Sequence, residues 1–485
     1  MPTRAPNPRY GLTVAPSAGI LDVVRRTRNG IYACSANHQT HYADVNAQWG
    51  KNSWINDLYF GLHGGLFVAD AREHEVYLNE MRKVAPFVLS PDQDLEIVPY
   101  AVHEDGQECL RNDVGGLDFD RCAQYLLMII RVYEFTGDTS LLTDLHPMML
   151  RVIDWLKCQD RDGDLLLEGR SLPVPITGVG SCPSVAYIGD SVKNDYKDFG
   201  ASLFFHHLLR RLAMAERIIG QSSLAEEHDA HADRLRDAID RIFWNEPTGG
   251  YLAFIEEDGT RNDNWITGNN LHAVWSGLAN EHQSRAILNT LNTHRDILID
   301  MVPCRVSLHT YPPGYSSNPD YYYWNAGCWT LVSAPVMLGY RHVGDVLAAL
   351  HVMDVLASNV VAKTELGFYE SYWSNTRQNN ACEGLLMNNG GILWGFHEGV
   401  LGIGVEGDTL KIQSSIPLSL LPCCATIRYR GRDLAFNWNK ADSPSATIND
   451  QPIQPTNGQY VIHADQLPNQ TVHIHLRVNA GALKN

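Results

Sequence analysis

Basic runs, paired cysteine motifs and long apolar stretches are all missing from this 485-residue chain, and each absence removes a class of function. Lys and Arg total 38 against 55 Asp and Glu, a formal charge of −17, and nowhere do the basic residues form a stripe. A phosphate backbone would be repelled, so no nucleic-acid partner is expected. The ten cysteines are scattered without a CxxC or a Cys/His ligand spacing. That argues against a zinc centre or a disulfide framework and for free thiols in a reducing compartment. No run approaches about 18 apolar residues, so no membrane span is expected. The opening Met-Pro-Thr-Arg-Ala-Pro-Asn-Pro lacks the apolar core of a secretory signal, which makes the cytoplasm the expected location. With 44% hydrophobic and 19% charged residues, the chain has material for a large core, and small molecules are its natural partners.

Helical periodicity fills the chain to about residue 402. Segments such as 117–135 (LDFDRCAQYLLMIIRVYEF) and 199–219 carry apolar residues at i, i+3, i+4 and i+7, with charge on the other face. The expected helices are 18–27, 54–68, 72–87, 118–136, 139–159, 198–219, 222–244, 267–279, 281–294, 325–341, 343–359 and 386–401. They group into five consecutive hairpins with short polar joints, and the first and last are left to close a ring as the sixth pair. Between hairpins the connections 88–117, 160–197, 245–266, 295–324 and 360–385 are long and rich in Gly, Pro, Asp and aromatics. Long loops in compact domains usually carry function, and a closed ring would gather these on one face. After Gly404 short alternating stretches such as Thr409–Gln413 and Ala425–Arg430 read as strands of a small antiparallel unit. The expected architecture is therefore mainly α: a toroid of six helical hairpins over 1–404 with an N-terminal arm, and a C-terminal β-sandwich-like domain over 405–485.

Four loop clusters stand out. Glu370 lies in Gly367-Phe-Tyr-Glu-Ser-Tyr-Trp373, with four aromatic rings within three positions. Rings desolvate a carboxylate, which suits it to proton transfer, and they stack on sugar faces; the plainer alternative is half of a buried ion pair. Asp190 follows a glycine in Ile188-Gly-Asp-Ser-Val192, where the backbone can bend around a substrate, although a turn or capping carboxylate is the commoner fate. Asp198 is the better N-cap, since it immediately precedes a periodic run. Tyr321-Tyr-Tyr-Trp-Asn-Ala-Gly-Cys-Trp329 is expected to open a helix, either as core packing or as a saccharide subsite. Trp49-Gly-Lys-Asn-Ser-Trp-Ile-Asn-Asp57 again mixes Trp with polar groups at a helix entry.

These residues carry a resemblance. Asp162-Gly163-Asp164-Leu165-Leu166, then Gly189-Asp190 before a helix, resembles the rhamnosidase pattern that supplies the general acid, with Ser191 where Trp is usual. Phe368-Tyr-Glu-Ser-Tyr-Trp373 resembles the Trp-Glu-x-Trp of rhamnosidases and the Glu-Asn-Tyr of processing α-glucosidases, whose Glu is the base. Asn388–Ile403, containing Trp394, is similar to the last barrel helix of rhamnosidases. Tyr323-Trp-Asn-Ala-Gly-Cys-Trp329 looks like the α-glucosidase Tyr-Trp-Arg-Gly-x-x-Trp with Asn325 in place of Arg. Trp49-Gly-Lys-Asn52 is similar to the Trp-Gly-Arg-Asp of debranching enzymes. Together they make the chain resemble, over about 45–440, the inverting glycoside hydrolases of the (α/α)6-barrel superfamily.

The resemblance implies an exo-acting inverting α-glycosidase of glucosidase or rhamnosidase type. Asp190 would be general acid and Glu370 general base, with Asp195, Asp198 and Glu383 in reserve. Trp54, Tyr323, Trp324, Trp329, Trp373 and Trp394 would contact the substrate, and Asp57 and Asn325 would bind hydroxyls. The implied partner is a small saccharide or glycoside, the protein acting as monomer or homodimer without metal or organic cofactor. Three other readings stay open. An inverting phosphorylase would need a phosphate nest, for which the Glu370 loop offers Arg377 and a few hydroxyls. A sugar epimerase would need paired histidines, and His206-His207 sit mid-helix. A catalytically silent glycan binder would keep only the rings.

Overall fold

The computed structural model describes residues 11–14, 18–36, 40–48, 50–90, 97–111, 118–169, 187, 191–194, 196–300, 304–358, 363–380 and 382–479. They form thirteen α-helices: α1 (Ala18–Cys34), α2 (Ile55–Val68), α3 (Ala71–Val84), α4 (Phe119–Thr136), α5 (Thr139–Lys157), α6 (Phe199–Ile218), α7 (Ser222–Phe243), α8 (Thr267–Trp275), α9 (Glu281–Thr293), the single turn α10 (Arg295–Leu298), α11 (Ser333–His342), α12 (Val346–Ser358) and α13 (Leu386–Trp394).

Hydrophobicity sorts these helices into two layers. All of α13, nearly all of α2 and α4, and most of α6, α8 and α11 are buried. A helix buried on every side has to sit inside. By contrast α3, α5, α7 and α9 bury one stripe and turn the other to water. The contacts follow the same division: α2 touches α4, α4 touches α6, α6 touches α8, α8 touches α11, α11 touches α13, and α13 returns to α2. Each inner helix also packs on its hairpin partner, and α1 lies against both α12 and α13. The contact between α13 and α2 depends on absent side chains. A Cβ at Gly390 would overlap the Phe60 carbonyl oxygen and Gly61, and one at Gly64 would overlap Gly390.

Several helix boundaries differ from those the periodicity predicts: the helix expected over 267–279 ends at Trp275, and two differences are larger. The first helix continues past Gly30 to Cys34, because Gly30 is a point of close approach to Asn389 and Leu366 rather than a terminator. The helix expected from 325 begins only with a 3-10 turn at Thr330–Val332. The aromatic cluster before it is irregular, with left-handed φ at Tyr321, Tyr323 and Ala326. Left-handed φ has no place inside a right-handed helix, so the stripe of rings that resembles a helix start is a folded loop.

Past the helices the chain becomes β. Strands 403–406, 409–413 and 459–463 form one antiparallel sheet. A second, six-stranded sheet runs in the order 11–14, 423–429, 432–441, 472–479, 445–448, 451–453. One pair departs from the expected antiparallel unit: 432–441 and 472–479 run parallel, which the intervening strands allow by serving as the crossover. The N-terminal strand 11–14 belongs to this sheet, pairing with 423–426.

The connections 88–117, 160–197, 245–266, 295–324 and 360–385 each lead into the N-terminus of an inner helix, α4, α6, α8, α11 and α13 in turn. The chemistry-bearing loops therefore lie at the N-terminal ends of those helices, where backbone N–H groups carry partial positive charge.

Candidate active site

Two small hairpins hold Glu370 between them: Gly367–Phe368 pairs with Lys363–Thr364, and Ser371–Tyr372 pairs with Asn379–Asn380. Its backbone N–H donates to the Cys382 carbonyl at 3.0 Å, and its carbonyl accepts from Asn388 Nδ2 at 2.8 Å. The same Asn388 amide reaches the Tyr369 carbonyl at 2.6 Å, so the first turn of α13 fixes the segment from below. The residue is only 4% exposed. Tyr323 donates its hydroxyl to Glu370 Oε1 at 3.3 Å, and Cys382 Sγ lies 3.8 Å from Oε2. Burial, and then the Glu370 charge, raise the neighbouring Tyr322 phenol above its ordinary pKa.

The rings around this carboxylate play different parts. Trp324 and Trp329 stack face to face at 4.4 Å and are 4% and 2% exposed, so they are packing for the loop. Tyr322, Tyr323 and Trp373 are half-buried, with Tyr322 against Trp373 at 4.4 Å and Tyr323 against Trp329 at 5.1 Å. Tyr322 and Tyr323 are the two that interact with Glu370, and Trp373 extends the group through Tyr322. Asn325 is engaged inside the protein: Oδ1 accepts from the Tyr311 N–H at 2.8 Å, and Nδ2 donates to the Asn318 carbonyl at 2.9 Å and Asp320 Oδ1 at 3.2 Å. Both of its donors are thereby used.

Trp54 and Asp57 lie at the start of α2, both half-buried. Trp54 meets Tyr100 edge-on at 4.9 Å, and the Arg121 guanidinium stands 3.8 Å over the same ring. Arg121 also pairs with Asp118 and donates to Asn56 Oδ1 at 3.2 Å, while Asn56 donates to Gln124 at 3.0 Å. Burial raises the Cys34 thiol well above its usual pKa, helped by the charges of Asp44, Asp57 and Cys382. Sequence reasoning put the charges of 117–135 on a solvated face, yet Asp118, Asp120 and Arg121 are wholly buried. The run Leu126-Leu-Met-Ile-Ile130, apolar around the helix, was the available signal that α4 lies inside.

Asp190 and Asp195 lie outside the described residues, as do Trp49 and Cys182. What flanks Asp190 is well anchored. Ser191 accepts from the Ser317 N–H at 3.0 Å and its hydroxyl bonds Asn318, while the Lys193 N–H donates to the Tyr315 carbonyl at 2.7 Å. Because Asn318 also bonds Asn325, Ser191 is tied to the loop that carries Tyr323 to Glu370. The described carboxylate nearest in sequence is Asp198, fully buried at the N-cap of α6, accepting from Ala201 N–H at 2.8 Å and Asn194 Nδ2 at 2.7 Å. Burial pushes its carboxyl up to about 7, so near neutrality it holds a proton part of the time. Glu383 is half-buried, next to Cys382.

Beside Asp198 the oxygens of Asp160, Asp162, Asp164 and Glu168 lie within 4.8 Å of one another, a set that could hold a metal ion. Lys197 already supplies the cation there: its ammonium sits 2.6 Å from both Asp162 and Asp164 and 3.1 Å from Glu168. Trp394 is at the other end of the ring. It closes α13 and lines a cavity with Arg131, Glu398 and Val405, away from Asn388 and Glu370 at that helix's start. His206 and His207 are buried within α6, and Arg377 is exposed in a left-handed turn.

Residues 190–384 match the model of the mannosylglycerate hydrolase MGH1-like glycoside hydrolase domain, a span that starts at Asp190 and includes Glu370. No curated protein sequence matches the chain. Among solved structures, the GH78 family rhamnosidase of Bacillus sp. GL1 superposes with a TM-score of 0.67 at 14% identity, over 98% of this chain and 44% of that one. The GH63 mannosylglycerate hydrolase from Thermus thermophilus, in complex with glucose, gives 0.56 at 14% identity, over 76% and 99%. The α-L-rhamnosidase from Dictyoglumus thermophilum gives 0.57 at 11% identity, over 93% and 49%. The chain thus spans about half the length of the two rhamnosidases. It resembles the (α/α)6 glycoside hydrolase superfamily, as its local motifs imply, with a helical body and a C-terminal β region.

Proposed function

We propose that this protein is an exo-acting, inverting α-glycoside hydrolase in which Glu370 activates water. The observation that carries the proposal is the Glu370 carboxylate itself: 4% exposed, bonded by Tyr323, and grouped with the half-buried rings of Tyr322 and Trp373. The match to a glycoside hydrolase domain over 190–384 supports glycosidase chemistry; we take Asp190 as the acid partner, with Asp198 the described alternative. Inversion needs a protonated acid at the glycosidic oxygen and a base on the opposite ring face, roughly 6.5–9.5 Å apart so that water fits between them. The closed run of contacts among α2, α4, α6, α8, α11 and α13 supports a six-hairpin toroid, which would bring the loops before α6 and α13 to one mouth. We take 1–404 as the catalytic domain and 405–485 as the β domain, with strand 11–14 reaching across to it.

The substrate is proposed to be a small glycoside, and the names of the similar proteins suggest where to begin: mannosylglycerate, and aryl α-D-glucosides and α-L-rhamnosides. The test is to incubate the protein with that panel and follow the anomer released by NMR. Inverted product is expected. Glu370→Gln should lower kcat by about 10²- to 10⁴-fold with little change in KM, the usual contribution of one acid–base group. Turnover retained in that variant would remove Glu370 from the mechanism, and turnover requiring phosphate would make the protein a phosphorylase.

A further inference from the structure

At the opposite end of the inner helices a cavity of about 290 Å³ lies between the ring and the first β strands. It is lined by the second halves of α4 and α6, the ends of α8 and α13, and residues 404–406 and 411. Along α13 and the π turn that continues it, Glu398 is about 15 Å from Asn388 at the usual helical rise, so this cavity is separate from the Glu370 loops. Interiors are otherwise close-packed, and cavities where two parts of a chain meet are preferred places for ligands.

The walls combine flat rings with fixed polar groups. Trp275 and Trp394 meet edge-on at 5.0 Å, His63 lies 4.4 Å from Trp394, and His207 lies 5.0 Å from Trp275. Arg131 is held by Glu134 and Glu398, Arg211 by Glu134 and Glu406, and Lys411 by Glu406. The three cations are therefore neutralised by three carboxylates, Glu398 and Glu406 in the lining and Glu134 fully buried outside it, and Arg210 is paired separately with Asp229 and Asp233. The two histidines add no charge: His63 Nδ1 donates to the Tyr59 carbonyl at 2.7 Å, and His207 Nδ1 contacts His272 Nε2 at 3.0 Å. Burial holds both rings well below their ordinary pKa.

We propose that this cavity is a second, non-catalytic binding site for a small neutral polyhydroxyl compound of monosaccharide size. The chemistry selects that class. The rings present faces for C–H surface, the guanidinium and carboxylate groups are held in place as donors and acceptors for hydroxyls, and the balanced charge offers an anion no net attraction. The inference rests on the cavity alone and stands whether or not Glu370 is a catalytic base.

D-glucose and inorganic phosphate are the probes, titrated calorimetrically into the full-length Glu370→Gln protein, with crystals soaked in each to locate what binds. Glucose is expected in the cavity, in contact with the Trp275 ring, and phosphate is expected to leave it unoccupied. Trp275→Ala should weaken that glucose site by about tenfold or more while any aryl-glycoside turnover, measured below the variant's own melting temperature, stays at the parent level. Ser276→Phe, which narrows the mouth without removing a wall, should do the same if Trp275→Ala fails to fold. Water alone in the cavity at glucose concentrations that saturate the calorimetric signal would overturn the proposal. Preferential uptake of phosphate would overturn it too.

Discussion

A carboxyl group reports its surroundings through its proton, and Asp198 is the clearest case in this chain. It is fully buried, with hydrogen bonds from Ala201, Asn194 and Gly200 that favour the ionised form, yet burial prevails and lifts it to about 7. In the unfolded chain an aspartate releases its proton near about 3.9. Between those values the folded protein holds a proton that the unfolded chain has lost, so stability falls as pH rises from about 4 to about 7 and is level above. Asp198→Asn keeps a good capping residue and removes the titration. Urea unfolding of this variant and the parent at pH 4.5 and pH 7.5 should show the variant gaining on the parent at the higher pH. An unchanged difference would mean that Asp198 is ionised throughout. The residues that sequence reasoning selected separate at this scale. Glu370, Tyr323 and Trp373 gather at one place, Trp324 and Trp329 pack the loop beneath them, and Asn325 is committed to that loop.

At the scale of elements, the strand leading into α6 is positioned by one internal ion cluster. Lys197 is 7% exposed and bridges three carboxylates of the 160–168 loop, while backbone pairing joins Glu168 to Lys197 itself. Removing the buried ammonium leaves the buried Glu168 without its counter-charge, while solvent partly screens the more exposed Asp162 and Asp164. Lys197→Met should therefore lower the melting temperature clearly, and it leaves four carboxylates within metal-binding distance of one another. Calcium at millimolar concentration should restore much of the loss in the variant and leave the parent unaffected. Recovery absent with calcium would show that the carboxylates spread apart once the ammonium is gone. The signature Asp160-Arg-Asp-Gly-Asp164 was visible in the sequence, but its occupant came from a lysine more than thirty positions on, which no local pattern could reveal.

Over the whole molecule, the strand 11–14 ties the N-terminal segment to the C-terminal sheet by covering the edge of strand 423–429. An uncovered edge invites pairing with another chain. Deleting residues 1–14 should leave the helical content by circular dichroism near that of the parent while promoting self-association in light scattering; a monomeric product of unchanged stability would argue against this role. The sequence by itself determined the mainly helical body, the change to strands near 404, the long loops before the inner helices, and Glu370 among its aromatics. Periodicity records which face of a segment is apolar, and that suffices for those features. Tertiary structure decided what covers each face. It buried the charges of α4, turned the helix expected at 325 into a folded loop, set two β strands parallel, and sent Trp394 to a cavity at the far end of the ring. The reason is physical: these outcomes depend on which distant segments meet as the ring closes, and glycine contacts such as Gly64 with Gly390 fix that closure between residues hundreds of positions apart.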